Sequence, residues 1–252
     1  MTTPLIDLHY VSKTYDNGTL ALQDVTTSIA QGSFVSLLGP SGCGKSTLLR
    51  IIAGLIAPTT GTIKWPAAND ERPEDIGFVF QEATLMPWAN VLENVYLPLK
   101  LRGKSLKDVR AQLMDALSRV GLADFANAFP RELSGGMKMR VSIARALVTR
   151  PPVLLMDEPF AALDEFTREK LDDDLLTLWD AENWTVIFVT HSVYESVYLS
   201  ERVLVMGARP GRILRDLTID APHPRDRSFR TTPAYIQCCA EISDALRHDA
   251  EA

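Results

Sequence analysis

Residues 34–55 read FVSLLGPSGCGKSTLLRIIAGL. An apolar run, FVSLLG, stops at a glycine-rich loop, and KSTLLRIIAGL follows with apolar residues spaced for a helix that ends near Gly54 and Pro58. A buried strand, a glycine loop and a helix start in that order turn backbone N–H groups and the positive end of a helix dipole toward one point. That is a phosphate site. Gly39, Gly44, Lys45 and Ser46 fit G-x-x-x-x-G-K-[ST], with Pro40, Ser41, Gly42 and Cys43 inside the loop and Thr47 just after it. A plain glycine turn capping a helix would share some of these letters. The strand before and the helix after favour the phosphate reading.

In such a loop Lys45 neutralises the β and γ phosphates of a nucleotide and the Ser46 hydroxyl is a Mg²⁺ ligand. Cys43 reads as a spacer of which only the backbone matters, in preference to a redox switch. Residues 153–159, VLLMDEP, are a second buried strand ending in two carboxylates at the carboxyl edge of a parallel sheet. Adjacent residues on a strand face opposite ways, so Asp157 and Glu158 take different parts, one near Mg²⁺ and one toward the γ-phosphate and its attacking water. His191 ends the strand-like VIFVT and Gln81 ends IGFVFQ, so the same kind of edge carries both.

Strand and helix patterns alternate on both sides of a helical stretch at 83–149, the order of an α/β fold with a mostly parallel sheet. The 252 residues suit one large domain or one with a sizeable insertion. A net charge of −6 disfavours a protein built to grip nucleic acid through a basic face. Cys43, Cys238 and Cys239 have no metal-like spacing and suit a reducing compartment. MTTPLIDLHYVSKTY does not read as a signal peptide, and no run approaches a membrane span, so any membrane role comes through a partner.

Residues 131–147, RELSGGMKMRVSIARAL, repeat the logic of the first loop, with serine and glycines ahead of a helix. Taken with the other segments, this stretch resembles the ATP-binding subunits of ABC transporters over about residues 5–215. The phosphate loop is similar to Walker A, VLLMDE to Walker B, LSGG at 133–136 to the family signature, Gln81 to the Q-loop and ALD with Asp164 to the D-loop. His191 is similar to the switch histidine and Tyr15 to the aromatic that stacks on adenine.

The resemblance implies a P-loop NTPase core with a mostly parallel sheet, an N-terminal antiparallel β subdomain and an inserted helical subdomain at about 83–150. Residues 1–220 would form one ATPase domain and 221–252 a short tail ending in a helix. It implies ATP and Mg²⁺ as cofactors, Glu158 polarising the lytic water, His191 on the γ-phosphate, and Ser46 and Gln81 on Mg²⁺ with Asp157 in support. It implies a head-to-tail homodimer with ATP at the interface, in which Ser134, Gly135, Gly136 and Asp164 complete the partner's site. Two transmembrane permease subunits and, indirectly, a substrate-binding protein follow, with the ATPase on the cytoplasmic face of the membrane.

The segment 83–101, ATLMPWANVLENVYLPLKL, would receive the permease, although Met86, Trp88 and Tyr96 read equally as core residues of a helical subdomain. FQEATLMPWANVLENV, PFAALDEFTR and ARPGRI are similar to the nitrate, taurine and aliphatic sulfonate importers, a group that includes importers of pyrimidine-type precursors. Met137 departs from the glutamine that many members carry after LSGG, which removes a side-chain hydrogen bond there. The alternative to a transport ATPase is a soluble ABC ATPase of DNA repair or ribosomes, disfavoured by the acidic balance, the single cassette and the absence of a coiled-coil insertion. A small-molecule P-loop kinase gives no reason for LSGG.

Overall fold

The computed structural model describes residues 4–250 except 69 and 183, and side chains through residue 247. In chain order the elements are β1 Pro4–Thr14, β2 Leu20–Ala30, β3 Phe34–Leu38, α1 Lys45–Ile52, β4 Thr60–Lys64, β5 Ile76–Val79, α2 Val91–Leu101, α3 Leu106–Arg119 and α4 Gly135–Leu147. They continue with β6 Val153–Asp157, α5 Glu165–Glu182, β7 Thr185–Thr190, α6 Val193–Leu199, β8 Arg202–Gly207, β9 Arg212–Thr218 and α7 Pro233–Ala250. The chain divides into two compact units, residues 1–74 with 179–252, and residues 75–178.

The first unit holds an antiparallel sheet ordered β2-β1-β4, and strands β7, β3, β8 and β9 adjoining in that order. β3 runs parallel to β7 and β8, and β9 closes antiparallel on β8. Every residue of β3 and β7 is buried, as expected of parallel strands covered on both faces. Phe34 anchors this core, meeting the Trp179 ring edge-on at 5.6 Å and Phe188 at 6.0 Å. The only polar side chain in β3, Ser36, is matched by the buried hydroxyl of Ser200.

In the second unit β5 pairs parallel with β6, and α2, α3 and α4 pack on one another, with Val91, Val95, Leu113, Leu117 and Val141 fully buried. Helix starts here are capped by side chains that accept a backbone N–H, namely Asn90 for α2, Ser105 for α3 and Ser134 for α4. At α2 the cap is a full capping box, since Glu93 accepts from Asn90 N–H in return. Among the described residues no helix is long and apolar enough to cross a membrane.

Candidate functional site

In the first unit β3 delivers the chain into the loop of Gly39 to Lys45, and α1 starts directly behind it. α1 begins after Gly44 with no side-chain cap, so its first N–H groups are left to whatever anion the loop holds. Gly44 has φ +94°, and a Cβ there would lie 2.7 Å from Ala21 O, so both conformation and space demand glycine. Lys45 is only 4% exposed, and its ammonium donates to the carbonyls of Gly39 at 2.9 Å and Pro40 at 3.1 Å. Pro40, Ser41 and Gly42 are exposed, Ser46 and Thr47 are half-buried, and the Cys43 thiol is buried. That burial suits a spacer and not a sensor. An uncapped helix head, an open turn and a buried cation make a cradle that fits a nucleotide's phosphates.

Tyr15 reaches the far end of the loop, its hydroxyl 3.1 Å from that of Thr47. Lys13 stands over its ring at 5.6 Å. His191 follows β7 in a turn held from both sides. Ser192 N–H donates to the Thr190 hydroxyl at 2.9 Å, and that hydroxyl donates to the buried Glu195 carboxylate. Ser192 then caps α6 by accepting Glu195 N–H. His191, Gly39 and Pro40 line one cavity of about 290 Å³ with Met206, Ala208, Leu214 and Leu246, so the loop and the histidine come together.

In the second unit Val79 pairs with Met156, so Gln81 and Glu158 both stand two residues past that pairing at one carboxyl edge. Asp157 is buried at the end of β6 and Gln81 is exposed. Glu158 has φ +48°, a left-handed conformation rare for a residue with a Cβ. The carbonyl of Phe160 and that of Leu163 accept from Arg168, which fixes the turn leading into α5. Asp164 accepts from the N–H and hydroxyl of Thr167, which hold its carboxyl below the usual carboxylate range.

Ser134 accepts Met137 N–H at 3.3 Å. Together with Gly136, Met137, Arg140, Phe166, Thr167, Lys170 and Leu171 it lines a cavity of about 340 Å³. A Cβ on Gly136 would lie 2.7 Å from the Thr167 methyl, so the second signature glycine permits the close approach of α4 to α5. Gly135 opens the helix beside it.

Residues 22–161 match the protein family described as ABC transporter. The chain belongs to the ABC transporter family. It is 43% identical to the nitrate import ATP-binding protein of Synechocystis sp. over 98% of this chain and 96% of that protein. It is 44% identical to the taurine import ATP-binding protein of Rhizobium johnstonii over 92% of this chain and 90% of that one. A dimeric ATP-binding cassette solved in a post-hydrolysis state with ADP and Pi shares 38% identity at TM-score 0.74, covering 86% of this chain and all of that one. This member of the ABC transporter family is thus an ATPase built on a P-loop core.

Two residues of this ABC ATPase escaped the sequence reading. Asn94 is fully buried in α2, where its amide binds the N–H and carbonyl of Met86 and the carbonyls of Ala89 and Asn90. Arg145 of α4 donates to the carbonyls of Ala83 and Thr84, just after Gln81, and burial lowers its pKa. An asparagine among apolar residues in the first turn of a helix was the available signal for the first. Trp88 is 77% exposed, which removes the core reading for that residue, whereas Met86 and Tyr96 are half-buried.

Proposed function

We propose that the chain is the ATP-hydrolysing subunit of an importer, coupling ATP-driven head-to-tail dimerisation to separate transmembrane subunits at the cytoplasmic face of a membrane. The observation that carries the reading is the uncapped head of α1 behind Lys45, with His191 on the same cavity as the loop. Tyr15 stacks on adenine. Gly39 to Thr47 wrap the phosphates, with the loop N–H groups donating and Lys45 leaving its carbonyl partners to meet them. Ser46 and Gln81 would hold Mg²⁺ with Asp157 in support, a hard oxygen set that leaves room for phosphate oxygens and water, and the ion would neutralise phosphate charge.

Glu158 orients and polarises the attacking water and His191 contacts the γ-phosphate, so catalysis rests on positioning and charge. Ser134, Gly135, Gly136 and Asp164 act in the partner's site, where the Ser134 hydroxyl accepts Met137 N–H and has its own proton to donate to phosphate. Residues 1–220 serve as one ATPase domain, with 83–150 as its helical insertion and 221–252 as its tail. Exposed Trp88 supports a permease-docking role for 83–101. The cargo is a small molecule such as nitrate, taurine or an aliphatic sulfonate, the cargoes named for relatives, or a pyrimidine-type precursor.

Glu158→Gln tests this. ATP binding persists, hydrolysis falls at least about a hundredfold, and an ATP-dependent dimer elutes on size exclusion. Parental hydrolysis in that variant removes Glu158 from the role.

A further inference from the structure

The tail grips α6, the helix that starts two residues after His191. After β9 the chain runs to Arg225, whose buried guanidinium donates from one nitrogen to the carbonyls of Val197 at 2.9 Å, Tyr198 at 3.0 Å and Ser200 at 2.9 Å. Val197 and Tyr198 lie in the last turn of α6 and Ser200 is its C-cap, so the guanidinium sits at the negative end of the helix, where a cation is favoured. The other terminal nitrogen donates to Ala221 O at 3.1 Å, closing the tail on itself. Arg230 stacks on the ring of Tyr198, 3.6 Å from its centroid.

At the opposite end of α6, Tyr235 of α7 donates its hydroxyl to Tyr194 O at 3.1 Å. α7 lies along α6 and β8 with Tyr235, Cys239 and Ile242 buried. Further along, its Leu246 lines the cavity that also contains Gly39, Pro40 and His191.

α6 has seven residues, about 10 Å of rigid helix. Its first turn is tied to the His191 turn through Ser192, Glu195 and Thr190. Moving its far end therefore moves the histidine.

We propose that Arg225 and Tyr235 are positioning residues for ATP hydrolysis, setting through α6 the place of the His191 imidazole beside the phosphate loop. This rests on the reading of His191 as the γ-phosphate contact. Neither residue touches nucleotide. Their loss should cost turnover and leave ATP affinity unchanged, because Lys45 is held by the carbonyls of Gly39 and Pro40.

Full-length variants Arg225→Ala, Arg225→Lys, Tyr235→Phe and His191→Ala, and the Arg225→Ala/His191→Ala double variant, are compared for kcat, KM and binding of a fluorescent ATP analogue. Imidazole resonances are recorded on nucleotide-free protein, which has four histidines. Arg225→Ala lowers kcat about tenfold with KM unchanged, because a displacement of about 1 Å suffices for such a loss. Arg225→Lys, which keeps the cation at the carbonyls, recovers part of it. The double variant turns over like His191→Ala alone, and the His191 resonance, identified by its absence in His191→Ala, shifts in Arg225→Ala.

Should Arg225→Ala not fold, Tyr235→Phe removes one hydroxyl and is read the same way, with a loss of about threefold. An equal further loss of kcat on the His191→Ala background, or an unmoved His191 resonance, overturns the proposal. Undiminished hydrolysis by His191→Ala instead overturns the γ-phosphate reading beneath it.

Discussion

Glu158 combines a proposed catalytic role with a backbone conformation that its side chain disfavours. At φ +48° a residue with a Cβ carries about 1 kcal/mol or more of strain, and such outliers gather at functional sites. Glutamine inherits that strain and glycine does not. Both Glu158→Gln and Glu158→Gly should lose hydrolysis, but the glycine variant should melt at least as high, with relief of about 1 kcal/mol set against glycine's greater entropy in the unfolded chain. Thermal denaturation compares the two, and a glycine variant clearly less stable than the glutamine one would show that the left-handed turn stores no strain. The carboxylate itself was legible in VLLMDEP. Its twisted backbone was not, because nothing in the letters marks a left-handed position when no glycine occupies it.

At the scale of elements, legibility followed length and periodicity. β3, α1 and the three helices of the second unit could be read directly, since each repeats its apolar pattern over a full face. α6 was invisible. Its seven residues, VYESVYL, are rich in valine and tyrosine, follow the strand VIFVT directly and are too short to reveal a helical period. Missing α6 also concealed the meaning of Arg225, which lies in a proline-flanked stretch that reads as loop.

The same stretch carries a titratable weak point. His223 packs against the Trp179 ring at 4.7 Å, and neither of its ring nitrogens has a hydrogen-bond partner among the described residues. Burial, with neighbouring Arg225, pushes its pKa down from 6.5 to about 4. Asp180 lies at 3.7 Å, and burial raises its own pKa. The folded chain therefore holds His223 neutral where the unfolded chain would protonate it. The His223 contribution to stability is constant above pH 6.5, falls as pH drops from 6.5 to about 4, and levels off below. His223→Phe should flatten that part of the pH profile of the melting temperature by a few degrees. An identical profile in the variant would acquit His223.

At the scale of the whole molecule, two helix heads differ. α1 begins without a capping side chain, while α4 begins with Ser134 bonded to Met137 N–H. If the second head serves a neighbouring copy, a chain defective at one head can be rescued by a chain defective at the other. Lys45→Ala and Ser134→Arg should each be inactive alone. Mixed in equal amounts, half of the dimers are mixed, and each of these keeps one sound site of two, so about a quarter of the parental activity should return. A mixture as inactive as its components would place Ser134 in its own chain's site.

Trp88 also makes the chain its own optical probe. Trp65, Trp179 and Trp184 are buried, so the indole emission open to a dissolved quencher comes from this one side chain. Any body that settles on that face of the helical unit would dim the quencher's effect without a label having been attached.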